Sequence, residues 1–235
     1  MWQGSTVPLL LHYDDVARDN RHSALHGLDA FRALASQALE TQAAAFATTV
    51  LRNTRVKAVL ERLALLDLPP WYLTAGALFQ SVWNAASGAD DLAAGIRDLD
   101  LFFYDGDDLS YEAEDVVIKR CLAACADIDV ELEPRNEARV HIWYPDKFGK
   151  TIDQYRDLEH AISSFAATCC CVALSLDPGG KLAVHATHGF DDLFTLTLRP
   201  NPSGIAPRAV YEDKSQRWMT VWPDLTKLPW PEGFE

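Results

Sequence analysis

Leu25, Leu28, Phe31, Leu34 and Ala38 recur every three or four residues, the spacing that gathers one face of an α-helix. Val56, Val59, Leu60, Leu63 and Leu66 repeat the pattern. Thr54 is placed to cap that second helix, and Pro69 and Pro70 end it. Residues 23–68 are therefore expected to be helical, and residues 1–22, with no such period, to form an extended arm. A further helix fits residues 74–86, with Leu78 and Val82 inward, and a polar loop follows over residues 87–95. The apolar run over residues 99–104 then reads as a buried strand closed by a turn at Asp105 and Gly106. Ser110 is predicted to cap the next helix. Glu112, Glu114 and Asp115 complement the dipole in its first turn, and Val117, Cys121 and Cys125 share its inner face.

From residue 127 to 133 the chain alternates strictly. Ile128, Val130 and Leu132 point one way, and Asp127, Asp129, Glu131 and Glu133 the other, as in a strand. Residues 139–144 read as another strand, and Leu158, Ile162 and Phe165 mark a short helix. Residues 168–176 and 182–185 read as two strands joined at Pro178, Gly179 and Gly180. Residues 196–198 suit a last strand before Pro200. Trp218, Trp222 and Trp230 are expected to hold the tail against the body. The pattern amounts to an α/β (α+β) protein with a mixed twisted sheet flanked by helices. Residues 1–69 form an arm and helices packed on the core, and residues 70–235 form the main domain with its C-terminal tail.

Charge narrows the choice of partners. The 235 residues carry 21 Lys and Arg against 34 Asp and Glu, a net charge of −13. Such a surface repels a phosphate backbone, so long nucleic acid is disfavoured. A small nucleotide is not, because a bound cation supplies positive charge locally. Val7 to Leu11 is apolar without a cationic start, so no signal peptide is expected, and no run is long enough for a membrane span. The cysteine number is odd, and Cys169, Cys170 and Cys171 are adjacent, which suits a reducing, cytoplasmic setting. Cys121 and Cys125 either share a metal with these three or are buried thiols, and the plainer reading is thiols.

The chemistry-bearing stretch runs from Leu73 to Asp105. Asp98 and Asp100 are two apart on a strand, so their carboxylates leave one face. Two such carboxylates are costly to keep charged unless the face is wet or holds a cation, and Mg2+ with its preference for oxygen fits. Gly76 opens the preceding helix, where backbone N–H groups meet an anion. Asp-x-Asp also arises by chance, Gly76 also serves close packing, and the acids of 127–133 also suit a solvated face. Arg139 and His141 would share a strand face, the first holding a triphosphate and the second orienting substrate. Equally, they would pair an acid and fill the face. Lys214 and Arg217 are candidates to fold over phosphates. Asp191 and Asp192 suit local capping or pairing, and His185 and His188 flank a turn.

Residues 71–78, Val82 with Trp83, and Asp98-Leu99-Asp100-Leu101-Phe102-Phe103-Tyr104-Asp105 resemble a family of uncharacterised nucleotidyltransferase-like proteins. So do Arg135-Asn136-Glu137-Ala138-Arg139-Val140-His141-Ile142-Trp143-Tyr144, residues 189–194, residues 199–201 and residues 214–218. The resemblance covers about residues 70–225. It implies a polymerase-β-like nucleotidyltransferase core. A glycine turn, here Gly76 and Ala77, would hold the phosphates of a nucleoside triphosphate. Asp98 and Asp100 would bind Mg2+, and Glu133 would be the third acid, with Glu131 or Asp129 in reserve. Ala77 stands where relatives carry Ser or Gly, and Pro134 follows Glu133. These departures keep two other readings in view: a catalytically degenerate nucleotide- or protein-binding relative, and a metal-dependent phosphohydrolase. The acceptor is not legible.

Overall fold

Leu99, Leu101 and Phe103 are at most 1% exposed, while Asp98 and Asp100 between them are partly open. That alternation fixes which face of the central strand meets the core. A computed structural model describes residues 8–19, 22, 24–201 and 204–233. Along the chain, β1 (Leu9–His12) runs into α1 (Tyr13–Ala17), followed by α2 (Leu28–Arg32), α3 (Leu39–Leu51) and α4 (Thr54–Leu63). β2 (Trp71–Thr74) turns into α5 (Gly76–Ala86), β3 (Asp98–Phe103) follows, and α6 (Tyr111–Ala124) crosses to β4 (Glu131–Asn136). Then come α7 (Val140–Phe148), α8 (Leu158–Ile162), β5 (Val172–Leu176), β6 (Lys181–Ala186), α9 (Asp191–Phe194), β7 (Thr197–Leu198), α10 (Arg208–Val221) and β8 (Thr226–Lys227).

Six strands form one mixed sheet in the order β1-β6-β5-β2-β3-β4, and β7 pairs β8 separately. Only the β3–β4 pair in the larger sheet is parallel, which requires a crossover, and α6 supplies it. Leu99, Leu101 and Phe103 join the main core with α3 to α6 and the tail tryptophans Trp218, Trp222 and Trp230. Phe102, on the other face, meets a smaller cluster of Tyr72, Leu158, Ile162, Cys171 and Ala173. The expected mixed sheet and the packed tail are both present. Among the described residues, no helix is long and apolar enough to cross a membrane.

Several local expectations change. The arm over residues 1–22 is not simply extended: Leu9–His12 adds an edge strand to the sheet and Tyr13–Ala17 is helical, while residues 1–7 lie outside the described residues. The helical stretch over 23–68 is three helices. Its first break contains Ser36 at φ 67°, whose N–H donates to Asp191 Oδ1 at 2.9 Å. Gln42 donates to the same oxygen at 2.7 Å, so a distant carboxylate shapes the break. Asn53, not Thr54, caps α4, its side chain accepting from the N–H groups of Arg55 and Val56.

The alternation over 127–133 becomes a strand only from Glu131. Asp127 pairs with Arg62 and Asp129 with Arg55, both on α4, which holds the preceding residues in turns. Residues 139–144 are helical, not a strand. Asn136 accepts from Ala138 N–H at 3.1 Å, starts a 3-10 turn over Glu137–Arg139, and α7 continues it. The period-two pattern there is incidental, and Arg139 and His141 do not share a strand face. Residues 168–170 are likewise a 3-10 turn before β5.

Candidate functional site

The site begins where β2 leaves the sheet. Thr74 lies opposite Asp100 in the antiparallel β2–β3 pair, so Ala75 and Gly76 turn away beside Leu99 and Asp98. Ala75 adopts φ 55° and ψ −140°, a conformation that side chains with a Cβ rarely take. This turn starts α5 at Gly76, and the first N–H groups of a helix have no partner within it. Thr74 Oγ1 does not face the turn, since it donates to Val172 O at 2.8 Å in the core. A Cβ at Gly76 would meet only the Gln80 side-chain amide, at 2.8 Å.

Parallel pairing sets Asp98 beside Glu131 and Asp100 beside Glu133. In a parallel pair, side chains in register point to the same face, so four acids share the face away from the main core. Burial, reinforced by the charges of Asp98 and Glu133, pushes the Asp100 carboxyl up to about 6; Arg135 and Lys214 act the other way. Arg135 donates to Glu133 Oε2 at 2.7 Å. The donor set on this face is all carboxylate oxygen, the kind a hard divalent cation takes, and a cation would relieve the repulsion around Asp100. Among the described residues, no group of three or more His, Cys, Asp and Glu side chains converges to hold an ion unaided.

Beside Asp100 opens a cavity of about 290 Å³. Phe102 and Arg135 line it from the sheet, Trp143, Tyr144 and Lys147 from α7, and Lys214 from α10. Glu137 also lines it and is only 4% exposed; burial pushes its carboxyl up to about 8, Arg135 opposing and Asp100 adding to the shift. Tyr144 donates to Ile205 O at 3.1 Å and Tyr104 to Tyr155 O at 2.7 Å, which pins the walls to neighbouring loops.

The structure thus brings together Gly76, Ala77, Asp98, Asp100, Glu131, Glu133 and Lys214 around one end of β3. Ala77 itself is buried, so it offers this face backbone only. Asp129 is engaged with Arg55 instead. Arg139 is not brought to the cavity: it pairs with Glu114, donates to Leu109 O at 3.0 Å and lies over the Tyr111 ring. The local ion pair is therefore its observed role. His141 and Arg217 do not line the cavity. Asp192 pairs with Arg199, and Asp191 holds Ser36 and Gln42. His185 bonds Thr187 at 3.0 Å, and burial lowers its pKa to about 4. All five cysteines are buried free thiols.

Sequence reasoning missed Arg135 and Glu137 as individuals. Arg135 shares the alternation of Glu131 and Glu133 and was legible from it. Glu137 was not, because only the unforeseen turn after β4 aims it into the cavity.

Residues 61–227 match a family described as nucleotidyltransferase. The chain is similar to an NMR structure described as revealing a CCA-adding enzyme head domain, with 21% identity and a TM-score of 0.62. The match covers 81% of this chain and 96% of that one, and at this identity it shows the fold. No curated protein matches.

Proposed function

The chain belongs to the nucleotidyltransferase family, and on that premise we propose that it moves a nucleoside monophosphate from a nucleoside triphosphate to a hydroxyl-bearing acceptor, with Mg2+ as cofactor. The observation that carries this reading is the register of β2, β3 and β4. It sets the Gly76 turn, Asp98, Asp100 and Glu133 side by side on the face away from the main core.

In the reaction the acceptor oxygen attacks the α-phosphorus. A new P–O bond forms, the bond to the bridging oxygen breaks, and pyrophosphate leaves. Asp98 and Asp100 would hold Mg2+, which when bound offsets charge on the phosphates and orients them. Water and phosphate oxygens would complete its shell, as is usual for this ion. The N–H groups at Gly76 and Ala77 face the triphosphate at the positive end of α5. Lys214 adds a cation beside Asp100. Glu133, steadied by Arg135, accepts the acceptor's proton or joins the metal shell.

A thermal-shift series with ATP, GTP, CTP and UTP, with and without Mg2+, tests the site. Ligand bound to the native state raises its stability by mass action. The expected result is a Mg2+-dependent rise that disappears in Asp98→Ala/Asp100→Ala. No shift with any nucleotide would overturn the reading. Product analysis separates the alternatives. Pyrophosphate supports transfer and orthophosphate a phosphohydrolase. Binding without turnover would mark a degenerate relative, which the Ala77 departure and Pro134 after Glu133 favour.

A further inference from the structure

We propose that the cavity between β4, α7 and α10 takes the base of the nucleotide donor, and that Glu137 selects bases carrying an exocyclic amino group. The inference rests on the nucleotidyltransferase reading and adds a specificity residue to it. Glu137 is almost fully buried and lines the cavity, yet no group among the described residues hydrogen-bonds its carboxyl. A buried polar group without a partner is costly, so one aimed into a cavity points to a ligand that satisfies it.

The rest of the lining states what that ligand is. Phe102, Trp143, Tyr144 and Phe165 offer flat apolar surface. The Tyr144 and Tyr155 hydroxyls are already bonded, to Ile205 O and to Ser164 Oγ, so the tyrosines offer mainly their rings. Arg135 is tied to Glu133. Glu137 is therefore an uncommitted carboxyl in an aromatic space that opens beside Asp100. The cavity volume of about 290 Å³ lies just below the ~300–1,000 Å³ typical of ligand pockets. An organic cation is disfavoured, because Lys147 already lies over the Trp143 ring at 5.6 Å and Arg135 and Lys214 add positive charge. A planar ring with an anionic tail fits, the tail running past Lys214 to the Asp98 and Asp100 face. The ionised carboxyl has only acceptors and takes an amino N–H, whereas the protonated acid would also donate to a uracil carbonyl. Adenine, cytosine and guanine present that amino group. Uracil flanks its one ring N–H with carbonyls, which repel the second oxygen.

The test is calorimetric binding of ATP, CTP, GTP and UTP to the full chain in Mg2+ above pH 8, where Glu137 is ionised, with inorganic tripolyphosphate as the probe without a base. Wild type is expected to bind the three amino-base nucleotides at least tenfold more tightly than UTP. Glu137→Leu should shrink that gap to about twofold by weakening the three, with tripolyphosphate affinity unchanged. Glu137→Gln, close in shape and safer for folding, should shrink it by strengthening UTP, because its amide donates to a uracil carbonyl. Equal binding of all four bases by wild type, or an unchanged order in both variants, would overturn the inference. If tripolyphosphate still bound with Mg2+, the nucleotidyltransferase reading would survive that result. Loss of all Mg2+-dependent binding in wild type would overturn both.

Discussion

At the scale of single residues, the turn between β2 and α5 stores strain next to the acids. Ala75 holds φ 55° where glycine would sit at ease. Such conformations cost roughly 1–3 kcal/mol, and glycine's extra freedom in the unfolded chain gives back part of any relief. Ala75→Gly is therefore expected to stabilise the protein by about 1 kcal/mol, read from the urea midpoint. A lower midpoint would show that the turn is not strained as described. Asp98→Asn keeps the shape of the side chain and removes its charge. It should cut Mg2+-dependent turnover by at least about 100-fold while leaving the unfolding midpoint close to that of wild type. Retained turnover would remove Asp98 from the proposed metal site.

At the scale of elements, the loop that delivers Asp98 is held by α5. Asn84 donates to Leu92 O at 3.0 Å and Ala94 O at 2.9 Å, and it accepts from the Trp222 indole at 2.9 Å. One buried amide thus joins the loop before β3 to the residue that ends α10. Asn84→Ala orphans the Ala94 carbonyl and the Trp222 indole N–H, and leaves Leu92 O with only the longer bond from Asn53 at 3.5 Å. The expected loss is about 2–4 kcal/mol, with faster amide exchange over residues 90–97. A loss confined to a few tenths would mean that water replaces the amide. The sequence signal for α6 was legible here because Ser110 caps it locally, accepting from Ala113 N–H at 3.2 Å. That for α7 was not. Its start depends on Asn136, which also binds the Asp105 backbone at 3.1 and 2.9 Å across the sheet's end.

At the scale of the whole molecule, two acids beside the cavity, the half-buried Asp100 and the buried Glu137, oppose folding when charged. Asp100 is pushed from 3.8 up to about 6 and Glu137 from 4.5 up to about 8. The folded pKa exceeds the unfolded one in both cases, so between these values the native state binds more protons. Stability should therefore fall as pH rises from about 4 to about 8, by on the order of several kcal/mol if no other group compensates. Chemical denaturation at pH 5 and pH 8 reads this directly. Asp100→Asn/Glu137→Gln should flatten the slope, and Mg2+ should recover the Asp100 part at pH 8. A wild-type slope of opposite sign would show that these carboxyls are not buried as described.

The sequence by itself determined the elements whose signals are local: the buried strand β3, the capped α6, the helical period of α4 and the turn between β5 and β6. It also placed Asp98 and Asp100 on one face, because a two-residue spacing on a strand leaves no other choice. The tertiary structure decided which acids join them. Glu133 stands by Asp100 through parallel register, while Asp129 is drawn off by Arg55 and Arg139 by Glu114. It also decided the break at Ser36, the helix over 140–148 and the aim of Glu137 into its cavity. Each of these depends on a partner many positions away, and a pattern read along a chain carries spacing but not the identity of that partner.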